Sequence, residues 1–196
     1  MSRPVLLGLS GSVRRPSRTT ALVGALLDAL ATATGGEADR IELVDAAPVL
    51  FRALHRAQLD DAGREVIARV EEADLLVVGT PVHRASVTGA LKHLFDLVHH
   101  QALRGRPVIL AATGGTPLHG LMIEHQMRPL FGFFGALTLP TAVYALETDV
   151  EAGRIVNPAI HERIARAAAE AARFLPTSHD DARAGERAGT ALEIAP

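Results

Sequence analysis

Between Leu9 and Thr20 the chain reads Leu-Ser-Gly-Ser-Val-Arg-Arg-Pro-Ser-Arg-Thr-Thr, which puts five hydroxyls and three guanidinium groups in one short stretch. An apolar strand pattern precedes it and a helical pattern follows it, so the stretch is a loop feeding a helix N-terminus. Such a terminus presents unpaired N–H groups and a partial positive charge, and both favour an anion. Hydroxyls and arginines at that point suit a phosphate monoester, whose terminal oxygens each accept several hydrogen bonds. The commoner phosphate signatures are missing. There is no GxxxxGK[ST] and no GxGxxG, and Gly8-Leu9-Ser10-Gly11-Ser12 is no GxSxG elbow because position 12 is Ser.

Two further loops follow apolar runs. Val77-Val78-Gly79-Thr80 leads into Pro81-Val82-His83-Arg84-Ala85-Ser86, and Ala111-Ala112 leads into Thr113-Gly114-Gly115-Thr116. Pro81 stiffens its turn, and the paired glycines let bare backbone approach whatever lies beside them. Two backbone-lined loops next to a phosphate site describe a pocket for a flat polar heterocycle. Further on, Thr116-Pro117 reads as an N-cap followed by Pro at the first helical position, opening a helix over residues 117–134. Pro129 lies inside that helix and cannot donate to the carbonyl of His125 four residues earlier, so a bulge or kink is predicted at His125.

The elements that must position these loops are legible in the apolar pattern. Strands are predicted at 5–9, 41–44, 75–80, 108–112 and 137–145, mostly as continuous apolar runs of the kind buried on both faces. Helices are predicted at 19–33, 57–72, 87–98, 117–134 and 158–174. Alternation of the two gives an α/β fold, a three-layer sandwich around a five-stranded parallel sheet, with the flavodoxin-like order 2-1-3-4-5 favoured over a Rossmann order and ligands at the C-terminal strand ends in either case. Residues 1–175 form one domain on this reading, and 176–196, which lack apolar periodicity, form a disordered tail.

Composition narrows the chemistry. Twenty Lys and Arg against 22 Asp and Glu leave a formal charge of -2, with no basic face for nucleic acid or an anionic membrane. The absence of Cys removes thiolate nucleophiles, disulfides and iron–sulfur clusters, so any redox chemistry needs a borrowed cofactor. His93, His99, His100, His119 and His125 match no zinc spacing, and no metal is expected. The uncharged stretch 129–146 carries Pro140 well inside it and reads as a helix end, a turn and a strand rather than a membrane span. The N-terminus has no signal-peptide pattern, so a cytoplasmic protein is expected.

The segments GSVRRPSRTT, TPVHRASVTGALKHLFDL, ATGGT and LMIEHQMRPLFGFFGALTLPTAVYA resemble the NAD(P)H-dependent FMN reductases of two-component sulfonate monooxygenases, nearest to the methanesulfonate type. The likeness covers roughly residues 4 to 150. It implies a flavodoxin-like fold, FMN, hydride transfer from NADH or NADPH, and delivery of reduced flavin to a separate flavin-dependent monooxygenase, with a homodimer or homotetramer as the assembly. It also implies that Ser10, Ser12, Arg14, Ser17, Arg18 and Thr19 form the phosphate loop. Pro81, Val82, His83, Ala85 and Ser86, then Thr113, Gly114, Gly115 and Thr116, would face the flavin ring. His83 departs from the Tyr common at its position. His125 matches the residue inserted in a π-bulge that loosens flavin binding at the subunit interface. Hydride passes between cofactors, so no catalytic side chain is expected. Two alternatives share the fold: a quinone, azo or nitro reductase with tightly bound FMN, and a flavodoxin-type electron carrier. The near-neutral charge and the missing Trp argue against the carrier.

Overall fold

The structure, a computed structural model, describes residues 3–175; the predicted tail at 176–196 lies outside them. Strand β1 (Val5–Ser10) is flanked by β2 (Glu37–Glu42) and β3 (Leu75–Pro81), and β3 by β4 (Pro107–Gly114), all parallel. Beyond β4 lie β5 (Leu137–Thr138) and β6 (Val143–Leu146), both paired parallel to it, so the sheet has the flavodoxin-like order with its fifth strand in two pieces. Pro140 explains the break. It has no N–H to give the ladder, and the bulge is closed instead by Arg128, whose guanidinium donates to the carbonyls of Leu139 (2.9 Å) and Pro140 (3.1 Å), and by Glu170, which accepts from Thr141 N–H (3.0 Å).

Three other predicted elements need correction; the helix predicted at 57–72 begins only at Asp61, where Asp60 caps it, and Arg56–Gln58 forms a separate 3-10 turn. The second strand occupies 37–42 rather than 41–44 because it is a sheet edge, where Glu37, Ala38, Asp39 and Arg40 are exposed and carry no apolar signal. Leu43 and Val44 instead begin a short helix, α2 (Leu43–Leu50), which the sequence pattern did not suggest. The predicted 117–134 helix is also divided: a 3-10 turn (Pro117–Gly120), a π turn (Ile123–Met127) and then α5 (Arg128–Phe133). No helix among the described residues is long and apolar enough to cross a membrane.

Helices α1 (Arg18–Thr34) and α6 (Pro158–Ala172) cover one face of the sheet, while α2, α3 (Asp61–Glu72), α4 (Gly89–Leu97) and α5 cover the other. A hairpin of β7 (Val150–Glu151) and β8 (Arg154–Ile155) leads into α6. α1 starts where Ser17 Oγ accepts from Thr20 N–H (3.1 Å), and ends where Gly35 turns left-handed at φ 67°. Between these caps Leu22, Val23, Leu26, Leu27 and Leu30 fall on one buried stripe, each contributing about 1.5–3 kcal/mol by leaving water.

That stripe lies unusually close to the sheet. A Cβ on Gly79 would sit 2.4 Å from Val23 Cγ2, and one on Gly8 would sit 2.7 Å from Val23 Cγ1. Val23 therefore fills a hollow that only two glycines leave open, and its seating sets the depth of the whole helix. Gly79→Ala is expected to cost about 1–3 kcal/mol by overpacking, measured by urea unfolding. Adding Val23→Ala should return part of that loss, so the double variant falls short of the sum of the two singles.

Candidate functional site

The ends of β1, β3 and β4 are stitched together by four hydrogen bonds. Gly11 N–H donates to the Gly79 carbonyl at 2.7 Å, and Thr88 Oγ1 donates to the Gly11 carbonyl at 2.8 Å. Val82 N–H donates to the Thr113 carbonyl at 2.8 Å, and the buried hydroxyls of Thr19 and Thr113 share a bond of 2.7 Å. Three loops distant in sequence are thereby held as one rim. Inside it lies a cavity of about 590 Å³, within the range of small-molecule sites.

Most residues singled out in the sequence meet there. Ser12, Arg14, Ser17, Arg18 and Thr19 line the cavity from the first loop, Pro81, Val82 and His83 from the second, and Thr113, Gly114 and Gly115 from the third. Four do not line it. Ser10 is fully buried and bonds Thr20 Oγ1 at 2.7 Å, so it secures the loop from behind. Ala85 and Ser86 lie across a tight turn in which His83 and Ser86 exchange backbone bonds of 2.9 and 3.1 Å. Arg84 and Ala85 both have left-handed backbones there (φ 53° and 62°), a conformation non-glycine residues adopt at a cost of about 1–2 kcal/mol each. Thr116 makes no side-chain cap; its carbonyl accepts from Tyr144 Oη at 2.6 Å.

The structure separates the three arginines of the first loop. Arg15 turns outward onto Asp45 (2.6 Å) and Glu42 (3.2 Å), and its hydrogen bonds hold the Asp45 carboxyl below its ordinary range. Arg18 reaches Glu147 at 3.4 Å, at the far wall of the cavity. Arg14 makes no ion pair among the described residues and faces the cavity. The cap bond from Thr20 leaves the first-turn N–H groups of Arg18 and Thr19 without a backbone acceptor, as every helix start does. A guanidinium outside any ion pair, the Ser17 hydroxyl and two unpaired N–H groups form a donor set that fits a phosphate monoester, while Ser12 Oγ already donates to the Arg14 carbonyl at 3.2 Å.

Other lining residues escaped the sequence reading. Thr88 is the N-cap of α4, a signal present in the sequence as Thr three residues before Leu91. Phe51 ends α2 and stacks on His93 with ring centroids 5.0 Å apart, and its element was invisible in the pattern. His119 belongs to the 3-10 turn, and Glu147 follows β6 at the sheet edge where ligands collect. The glycine pair also needs a finer account. A Cβ on Gly114 would strike Tyr144 Oη at 2.4 Å, so that space is taken by the protein itself; beside Gly115 the nearest atom is Glu147 Oε1 at 4.0 Å. Of this pair, only Gly115 offers bare backbone to a ligand. Burial pushes the Tyr144 phenol up, so its hydroxyl stays a donor.

The π turn adjoins this rim. Arg128 N–H bonds the Ile123 carbonyl five residues back, where Pro129 removes the ordinary bond to His125. Glu124, His125 and Gln126 are exposed on it. Gln126 Oε1 accepts from Ser86 Oγ at 3.5 Å, a long contact to the strained turn.

Sheet order, a phosphate-suited helix start and a ring-sized cavity at the strand ends define a flavodoxin-like nucleotide-binding protein. More narrowly, the chain belongs to the NADPH-dependent FMN reductase family, whose sequence model matches residues 4–151. It is similar to the NADH-dependent FMN reductase SfnE of Pseudomonas putida, with 46% identity over 180 residues that cover 91% of this chain and 97% of the relative. It is also similar to an FMN reductase (NADPH) of Pseudomonas aeruginosa, 47% identical over 167 residues, covering 85% and 90%. Among solved structures, an oxidoreductase from Corynebacterium diphtheriae superposes with a TM-score of 0.80 at 31% identity, covering 89% of this chain and 97% of that one.

Gly114→Ala is expected to destabilise the protein by about 1–3 kcal/mol and to displace the Thr116 turn. Tyr144→Phe, which removes the obstructing oxygen, should cost less in the Gly114→Ala background than alone; equal costs in a thermal double-mutant cycle would remove the steric account.

Proposed function

We propose that the protein is an NAD(P)H-dependent FMN reductase that takes FMN as an exchangeable substrate and supplies reduced FMN to a partner flavin-dependent monooxygenase of the sulfonate type. The observation that carries this is the donor set at the start of α1, with the unpaired Arg14 facing a cavity walled by loops from three adjacent strands. On this reading Ser12, Arg14 and Ser17, with the first-turn N–H groups of Arg18 and Thr19, take the phosphate, and Ser10 braces the loop. Pro81, Val82 and His83, with Thr113, Gly114 and Gly115, border the ring, while Ala85, Ser86 and Thr116 shape those loops from outside.

When bound, FMN supplies the hydride acceptor for a reduced nicotinamide, and the chain needs no acid–base pair. The residues' work is to hold and orient. The hydrogen-bonded rim fixes where the ring edge lies, which favours reaction by proximity. The exposed backbone at Gly115 offers polar groups beside it at no reorganisation cost. His125, exposed in the π turn, is proposed to tune flavin release, and Phe133, 72% exposed beside the buried Phe131 and Phe134, is proposed to meet another subunit in a homodimer or homotetramer.

Oxidation of NADH and NADPH should be followed while free FMN is titrated with no quinone present. The rate is expected to saturate with FMN and to match reduced flavin appearing in solution. A yellow protein indifferent to added FMN and accelerated by a quinone would make it a tightly bound flavoenzyme instead. Replacing Arg14 and Ser17 together by Ala should weaken FMN binding by about 2–4 kcal/mol, the scale of charge-assisted hydrogen bonds. Ser17 also caps α1, so Ser17→Ala should lower stability by about 1 kcal/mol, whereas exposed Arg14→Ala should leave the melting temperature unchanged.

A further inference from the structure

Among the described residues that line the cavity, Glu147 is the one carboxylate. A carboxylate is an odd choice beside a phosphate, since like charges repel and the acceptor oxygens offer nothing to one another. Folding stability does not explain it. Its partner Arg18 is 3.4 Å away and both side chains are over half exposed (52% and 58%), and an exposed pair of this kind adds almost nothing to stability. The pair does span the site, joining the start of α1 to the segment after β6. Glu147 also stands beside Gly115, where the wall is open backbone.

We propose that Glu147 is a release residue: by engaging Arg18 it withholds one guanidinium from the phosphate, leaving Arg14 as the single uncommitted arginine in the cavity and keeping the flavin exchangeable. The inference rests on the reading of FMN as a substrate and gives it an electrostatic cause in this chain's own side chains. A phosphate held by two arginines dissociates slowly. One held by a single arginine, serine hydroxyls and helix N–H groups, with a carboxylate nearby, leaves quickly. Glu147 acts through Arg18 and positions it, so Arg18→Ala should disturb binding far less than Arg14→Ala.

The test is equilibrium FMN binding by flavin fluorescence quenching, together with stopped-flow release, on the full chain and its variants. Glu147→Gln is expected to tighten FMN by roughly two- to fivefold, within what an exposed ion pair can supply, mainly by slower release. Glu147→Asp should keep the weak affinity, and riboflavin, which lacks the phosphate, should bind all variants alike. In the Arg18→Ala background Glu147→Gln should keep only the smaller gain from relieved carboxylate–phosphate repulsion. A gain in affinity is a result that structural damage does not produce. Unchanged or weaker FMN binding by Glu147→Gln overturns the proposal, as does an equal gain with Arg18 absent. Should the unaltered protein hold FMN without exchange during turnover, the reading of FMN as substrate fails, a result visible before any variant is made.

Discussion

Val23 occupies a hollow that Gly8 and Gly79 leave open on the sheet, and the functional site depends on that seating. The helix it belongs to starts at Arg18, so its depth against β1 and β3 decides where the unpaired first-turn N–H groups lie. A helix held off by one methyl would carry Thr19 away from Thr113 and part the bond that joins the first loop to the third. Site geometry and core packing are thus one constraint, since cores tolerate displacement poorly.

Given that seating, the rim is built mostly from backbone and short hydroxyls. Gly11, Thr88, Val82 and Thr113 connect three strand ends with bonds of 2.7–2.8 Å that involve no long side chain. Short side chains lose little entropy on ordering, so such a rim is rigid at low cost. The long charged side chains are placed on top of it, each with a separate fate: Arg15 outward to Asp45, Arg18 across to Glu147, and Arg14 toward the cavity.

The central strands and α1, α3, α4 and α6 were legible because burial on both faces, or an apolar stripe, writes itself into the sequence. Where that pressure lapses, so does the pattern. β2 is an exposed edge, α2 is eight residues long with Pro48 inside it, and β5 and β6 are parted by Pro140, so none could be bounded correctly from periodicity. The first loop announced itself by its density of hydroxyls and arginines. Sequence could not say which arginine stays free, because Asp45 and Glu147 become neighbours only through the fold. Nor could it say that Tyr144 fills the space beside Gly114. Pro129 was informative for the opposite reason: the missing N–H acts locally and calls for a bulge or kink near His125, which the structure makes as a π turn over Ile123–Met127.

A site that exchanges its ligand must also be stable between occupants. Proteins built around a permanent cofactor tend to bury polar groups that the cofactor satisfies, and losing it leaves them orphaned at a cost of several kcal/mol. Here every buried side-chain N or O among the described residues has a partner within the protein. Arg14 is exposed and outside any ion pair among the described residues, so water serves its guanidinium as well as phosphate does. Thr19 and Thr113 satisfy each other rather than waiting for a ligand. On the proposed function, a fold whose polar side chains close on themselves gains less from each bound flavin, and that smaller gain favours exchange.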